Sequence, residues 1–276
     1  MRKIAIVTGI TSPLGRGLAT RLVDDGFRVI GVTRNHGVSP NALGIHESVV
    51  CDLKDPGLIK RASGELVQAC SSVNQVWVIH AAGQPVIRSL EDLSPDELEQ
   101  AMWVNFLGPA MLTHGLLPRI RETAGRILWL GSMSGRLCVP LLGGYGTSKA
   151  ALKSYSSVLN LELSHFGAHS IYVELGNVNT GLHTQTVSDS GGFSSDAHYA
   201  SLYHQVPALA AELQSKAMPL DRALNQIYAA LTAVSPKPVV LIGRDAQIRA
   251  TISRFAPSLF NRIARRKLNW PLQSSS

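Results

Sequence analysis

No apolar run in this chain approaches the ~18 residues that a membrane-spanning helix needs, so a helical integral membrane protein is excluded. Cysteine is scarce: Cys51, Cys70 and Cys138 show neither metal-ligand spacing nor the even count of a disulfide framework, and reduced packing thiols are expected. No metal site is expected. Charged residues are only 16% of the 276, while 45% are hydrophobic, which excludes a disordered chain. Acidic charge is in deficit, 19 Asp and Glu against 26 Lys and Arg, for a formal charge of +7. A phosphorylated cofactor or an acidic partner accounts for that excess as well as nucleic acid does, and no nucleic-acid partner is expected. Much of it falls late, at Arg244, Arg249, Arg254, Arg262, Arg265, Arg266 and Lys267, as a solvated basic face, a peripheral contact with an anionic membrane or a contact with a carrier protein. Met1-Arg2-Lys3 leads into a strand-like segment rather than a signal peptide, so a cytoplasmic location is expected.

What is present is alternation. Short β-branched runs at 3–8, 28–32, 48–51, 76–80, 126–130, 170–175 and 239–242 are separated by amphipathic stretches at 14–25, 58–69, 95–117, 145–166 and 220–233. About seven strands with helices between them predict one α/β domain built on a doubly wound, Rossmann-type parallel sheet. Ser94-Pro95 starts its helix well, with serine as N-cap and proline at the first helical position, and Pro109 is expected to kink that helix or interrupt a turn of it. Residues 180–216 read as a substrate lid within a domain of 1–243, since the Ser/Thr/Gly-rich stretch has no period and follows a strand's carboxyl end. Leu182, Val187, Phe193, Tyr199, Leu202, Tyr203 and Val206 either wall an apolar pocket or pack on the core. The basic remainder, 244–276, reads as a helical extension, amphipathic over 248–270.

The first strand is followed by Thr8-Gly9-Ile10-Thr11-Ser12-Pro13-Leu14-Gly15-Arg16-Gly17. Glycines there let the backbone approach a pyrophosphate, and the next helix offers N–H groups from its N-terminus; a tight connection is the dull alternative. The second strand ends in Thr33-Arg34, where an NAD site usually carries an acidic residue, so NADP(H) is favoured over NAD(H). Asp52-Leu53 either contacts adenine or makes a turn.

Tyr145 and Lys149 lie one helical turn apart, so the ammonium is expected beside the phenol, stabilising its anion and bringing an ordinary pKa of ~10 within use. Ser132, thirteen residues earlier, is expected to hold the reacting oxygen from the other side. His80 reads as a packed strand-end histidine, and His183, His198 and His204 as surface or substrate-wall residues.

With these pieces in order, the chain resembles the short-chain dehydrogenase/reductase family over about 3–242, with a weaker likeness to its steroid and retinol dehydrogenase branch. The family's glycine turn maps onto Thr8 to Gly15, its Asn-Asn-Ala-Gly onto His80-Ala81-Ala82-Gly83, its helical asparagine onto Asn105, its serine onto Ser132, its Tyr-x-x-x-Lys onto Tyr145 and Lys149, and its Pro-Gly onto Leu175-Gly176. Three positions depart. Pro13 removes a donor from the phosphate turn, Ala81 lacks an amide that would tie strands together, and Leu175 frees the chain where the nicotinamide carboxamide docks near Val178 and Thr180.

The resemblance implies an NADP(H)-dependent oxidoreductase interconverting a ketone and a secondary alcohol on a moderately sized, low-polarity substrate. Tyr145 exchanges the proton, Lys149 lowers its pKa and binds the ribose, Ser132 bonds the developing alkoxide, and Asn105 holds a water. Gly9, Thr11, Ser12, Leu14, Gly15, Ala81, Ala82, Gly83 and Gly176 complete the implied cofactor contacts. It also implies a homodimer or homotetramer through the 95–117 and 145–166 helices. A non-catalytic NADPH sensor and a sugar-nucleotide epimerase or dehydratase are the alternatives; the intact Ser132, Tyr145 and Lys149 disfavour the first, and fewer than 100 residues after Thr180 the second.

Overall fold

The computed structural model describes residues 2–35, 39–137, 139–181 and 198–256, together with positions 258, 262, 263 and 266. Seven strands, β1 (Lys3–Thr8), β2 (Arg28–Thr33), β3 (Glu47–Val50), β4 (Gln75–His80), β5 (Arg126–Leu130), β6 (His169–Leu175) and β7 (Val239–Ile242), form one parallel sheet in the order β3-β2-β1-β4-β5-β6-β7. The direction of winding reverses between β1 and β4, which opens a crevice beyond their carboxyl ends at Thr8 and His80.

Helices cover both faces: α1 (Pro13–Asp24), α2 (Pro40–Leu43), α3 (Pro56–Ala69), α4 (Pro95–Met102), α5 (Gly108–Glu122), α6 (Gly143–Ser164), α7 (Ala200–Tyr203), α8 (Val206–Ser215), α9 (Leu220–Thr232) and α10 (Arg244–Phe255). On one face Ile59 and Leu66 of α3, Leu112 and Leu116 of α5, and Leu152 and Leu159 of α6 pack against Ile4, Val78, Ile127 and Trp129. On the other, Leu18 and Leu22 of α1 and Leu224, Ile227 and Leu231 of α9 meet Ala5, Val7, Leu128 and Val173. Such spacings place each set on one helical stripe, and each fully buried Leu or Ile contributes about 1.5–3 kcal/mol against its entropy cost.

The break in the expected 95–117 helix lies upstream of its proline. Ser94 and Glu97 form a reciprocal capping box at the start of α4, and the chain then widens into a π-helical turn at Trp103–Leu107 before α5 resumes. Pro109 has no N–H to return to the Asn105 carbonyl, so the preceding turn adopts an i→i+5 pattern in which Gly108 N–H donates to the Trp103 carbonyl. A Cβ on Gly108 would lie 2.2 Å from the Leu53 carbonyl oxygen, so this turn presses against the chain leaving β3.

Three helices depart from the sequence reading. α2 was not anticipated, and α7 and α8 occupy part of the stretch expected to be a substrate lid, whereas α10 begins at Arg244, where the helical extension was expected. Ala246 and Ala250 bury the inner face of α10, and Ala246 packs with Met133 and Leu137 beside Ser132. Cys138, residues 182–197, and most of the chain after Ala256 lie outside the described residues, and with them the expectations on Leu182, His183, Val187, Phe193, Arg265 and Lys267.

Candidate active site

The phosphate turn is built by its glycines. Gly9 sits at φ +63°, and a Cβ there would lie 2.5 Å from the Ala82 amide nitrogen, so the turn lies against the end of β4. A Cβ on Gly15 would meet the Gly9 carbonyl oxygen at 2.3 Å. Ser12 caps α1, its Oγ accepting from Gly15 N–H at 3.0 Å, and Pro13 takes the first helical position, where an N–H would have no helical partner. The turn thus accommodates the proline at the helix start. It loses one donor and keeps the Leu14 amide, which has no acceptor within the helix.

Thr8 does the tying that Ala81 cannot. Its carbonyl accepts from Ala81 N–H at 3.2 Å and its Oγ1 from Ala82 N–H at 3.4 Å. Thr33 is buried at the end of β2 with its Oγ1 accepting from Asn35 N–H, while Arg34 is exposed just beyond. Asp52 Oδ1 accepts from Lys54 N–H at 3.0 Å in a turn, and Leu53 is buried.

Four side chains converge beyond β4 and β5. The Ser132 and Tyr145 side chains are hydrogen-bonded. Lys149 Nζ lies 5.8 Å from the centre of the Tyr145 ring and donates to the Leu130 carbonyl at 2.9 Å. A Cβ on Gly83 would lie 3.4 Å from both Asn105 Oδ1 and Lys149 Nζ, so the chain passes between these two side chains. Asn105 grips that passage, Oδ1 accepting from Gln84 N–H at 2.8 Å and Nδ2 donating to the Gln84 carbonyl at 2.9 Å and to Ser148 Oγ at 3.1 Å.

The electrostatics differ from the sequence expectation. Burial raises the Tyr145 pKa above its ordinary value, and the Ser132 hydrogen bond only partly opposes it. Lys149, 3% exposed, is itself pushed down to about 8 by burial, and its ammonium is engaged by the Leu130 carbonyl rather than seated on the phenol oxygen. The resting phenol is thus neutral and able to give a proton. His80 is packed as expected, its ring stacked 4.4 Å from that of Trp129 and its Nε2 2.7 Å from Thr113 Oγ1, with burial pushing its pKa down to about 3.

Leu175 does not free the chain that follows β6. Asn177 N–H donates to Asp245 Oδ2 at 2.9 Å, and a Cβ on Gly176 or Gly243 would meet Asp245 Oδ1 at 2.1 or 2.6 Å. Val178 is buried and bridges to Met218, and Thr180 N–H bonds the Val178 carbonyl. Sequence reading missed Asp245 because it lies in a segment taken for a tail. Leu202, Tyr203 and Val206 pack with Leu141, Ile87 and Tyr199, and Tyr203 Oη accepts from Ser89 N–H and donates to Asp92 Oδ2 at 2.6 Å.

Residues 3–191 match the model of the short chain dehydrogenase family. The bovine dehydrogenase/reductase SDR family member 7B is 28% identical over 94% of this chain and 79% of its own length. Human 11-beta-hydroxysteroid dehydrogenase type 2 is 32% identical over 64% of this chain, a match that spans 46% of that protein. Among solved structures, a Burkholderia cenocepacia short chain dehydrogenase in complex with NADP superposes with a TM-score of 0.72 at 21% identity, covering 98% of each chain. A 4-hydroxyisoleucine dehydrogenase complexed with NADH does so with a TM-score of 0.71 at 20% identity, covering 87% of this chain and 97% of that one.

Proposed function

The chain belongs to the short-chain dehydrogenase family, and from that premise we propose that it is an NADP(H)-dependent oxidoreductase interconverting a ketone and a secondary alcohol on a moderately sized, low-polarity substrate. The convergence of Tyr145, Ser132, Lys149 and Asn105 beyond the ends of β4 and β5 carries this reading.

The residues fit a dinucleotide. Gly9 and Gly15 form a cradle that a Cβ would fill, the Leu14 amide stands at the N-terminus of α1, and among the described residues one donor of buried Lys149 is taken, by Leu130. Gly176, Val178 and Thr180 would hold the carboxamide end, Asp52 and Leu53 the adenine end, and Ala81, Ala82 and Gly83 the floor between. Thr33, with no carboxylate to repel a 2′-phosphate, and exposed Arg34 support NADP(H). When bound, the nicotinamide supplies or accepts a hydride at the carbon bearing the substrate oxygen. Tyr145 Oη gives its proton to that oxygen, while the Ser132 hydroxyl donates to the developing alkoxide, a contribution of about 3 kcal/mol for one such donor. The Lys149 ammonium steadies the phenolate that results, and Asn105 holds the Gly83–Gln84 passage beside it. The apolar cluster of Leu141, Leu202 and Val206 supports a substrate of low polarity.

Met111 on α5 and Val158, Leu161 and Phe166 on and beyond α6 leave an exposed apolar face, which supports a homodimer or homotetramer. Ile248 and Phe255 are exposed beside Arg249 and Arg254, which supports peripheral contact with an anionic membrane by a cytoplasmic protein.

The test titrates NADPH and NADH by protein fluorescence in the parent and in Arg34→Ala, then screens apolar ketones for NADPH oxidation. NADPH should bind at least tenfold more tightly than NADH, and Arg34→Ala should erase most of that preference. Equal binding of the two cofactors would refute the cofactor assignment, and NADPH binding without oxidation across the panel would refute the enzyme.

A further inference from the structure

Strand β6 carries polar side chains at alternate positions, Ser170, Tyr172 and Glu174, all fully buried and all on one face. They meet polar groups spaced along one side of α6. Ser170 Oγ lies 2.9 Å from Ser156 Oγ and its N–H donates to Asn160 Oδ1. The Tyr172 hydroxyl donates to the Lys149 carbonyl at 3.2 Å and accepts from Ser132 N–H at 3.3 Å. Glu174 accepts Lys153 Nζ at 2.9 Å and, through both oxygens, Arg136 Nε at 2.7 Å and Nη2 at 2.9 Å. Arg136 follows directly the 3₁₀ turn Met133–Gly135 that Ser132 caps.

Two of these side chains therefore each join the same two pieces of chain: the loop bearing Ser132 and the helix bearing Tyr145 and Lys149. Beside the Ser132–Tyr145 side-chain contact, those pieces also touch through bare backbone. A Cβ on Gly135 would lie 2.8 Å from the Lys149 carbonyl carbon, and one on Gly146 2.8 Å from the Ser134 carbonyl oxygen. Glycine contacts allow close approach but do not fix the register in which loop and helix lie, whereas directional bonds to β6, a strand paired on both sides, do. We propose that Tyr172 and Glu174 are positioning residues that hold Ser132 in register with Tyr145. Tyr172 acts on the serine's own amide, and Glu174 clamps Arg136 to Lys153 one turn beyond Lys149. The ring of Tyr172 is locked in turn, since a Cβ on Gly131 would lie 2.0 Å from its Cζ.

The proposal rests on the reading of Tyr145 as the proton donor, and its test separates the two. In Tyr172→Phe the ring keeps its place and only the two bonds are lost. Ultraviolet difference titration of the apo protein, with Tyr145→Phe subtracted, follows the ionisation of Tyr145 without any substrate. Turnover of phenanthrenequinone with NADPH, and with its 4-deuterated form, follows the chemical step. Tyr172→Phe should move the Tyr145 titration upward, because the Ser132 hydrogen bond that opposes burial is loosened. It should also lower kcat by about tenfold or more and raise the isotope effect, with NADPH affinity within about twofold of the parent. Glu174→Gln should do the same. Should that variant not fold, Lys153→Met, at a partly exposed lysine, removes one arm of the clamp and should lower kcat by a smaller factor. An unmoved titration in Tyr172→Phe with kcat within twofold of the parent overturns the proposal. So does a fall in kcat matched by an equal loss of NADPH affinity and an unchanged isotope effect, which marks general loosening. Full activity of Tyr145→Phe would instead overturn the catalytic reading, and the titration would still decide the positioning role.

Discussion

Replacing Asp245 by alanine removes a carboxylate that fastens α10 to the loop after β6. Its Oδ2 accepts from Asn177 N–H at 2.9 Å, and its Oδ1 fills space that Gly176 and Gly243 leave open. A hydrogen bond to a charged group contributes about 1.5–3 kcal/mol, and an acidic residue in the first turn of a helix about 0.3–1 kcal/mol. Asp245 is only partly buried, so the lower ends apply and the expected loss is about 2 kcal/mol. For a domain of this size that corresponds to roughly 4–8 °C in Tm, read by urea and thermal unfolding of the apo protein. The loop that is released would hold the carboxamide end of the cofactor, so NADPH affinity should fall as well. Asp245→Asn, which keeps an acceptor, should recover about half of the loss. An unfolding free energy within about 0.5 kcal/mol of the parent, with unchanged NADPH affinity, would refute the role given to this residue.

Gly9→Ala places an L side chain at φ +63° with its Cβ on the Ala82 amide, so fluorescence titration should show NADPH binding abolished or weakened more than a hundredfold. His80 is held neutral with a folded-state pKa near 3, well below its unfolded value. Its contribution to stability is present above pH ~6.5 and is lost as pH falls toward 3, so His80→Asn should flatten the acid limb of the apo stability curve in urea titrations. Lys149 has its pKa lowered to about 8, so the apo protein should gain stability from this group as pH rises from about 8 toward 10, and Lys149→Met should remove that slope. Leu161→Glu, on the exposed face of α6, should shift sedimentation toward monomer while leaving Tm within about 2 °C.

The strands were legible because a parallel sheet buried on both sides needs continuous β-branched runs, and the boundaries agree to within one or two residues. α1, α3, α6 and α9 were legible for a similar reason, since each carries large apolar residues at helical spacing. α10 was legible as a helical extension but its packing was not, because its buried side is made by Ala246 and Ala250, too small to register against a basic background. α7 and α8 are short, and their apolar residues pack on one another and on Leu141 rather than along a single stripe of the main core. The cluster of Ser132, Tyr145 and Lys149 was readable from spacing. Their electrostatics were not, because burial acts through three-dimensional surroundings that an i, i+4 interval does not contain. The period-two run Ser170, Tyr172, Glu174 was written in the sequence, but within an apolar strand it reads as interruption until α6 supplies its partners.

Stopped-flow single turnover of NADPH with an apolar ketone in the parent and in Tyr145→Phe tests the central claim most directly. Hydride transfer should slow by at least a hundredfold in the variant, with NADPH affinity unchanged. Transfer at the parental rate without that hydroxyl would contradict the account.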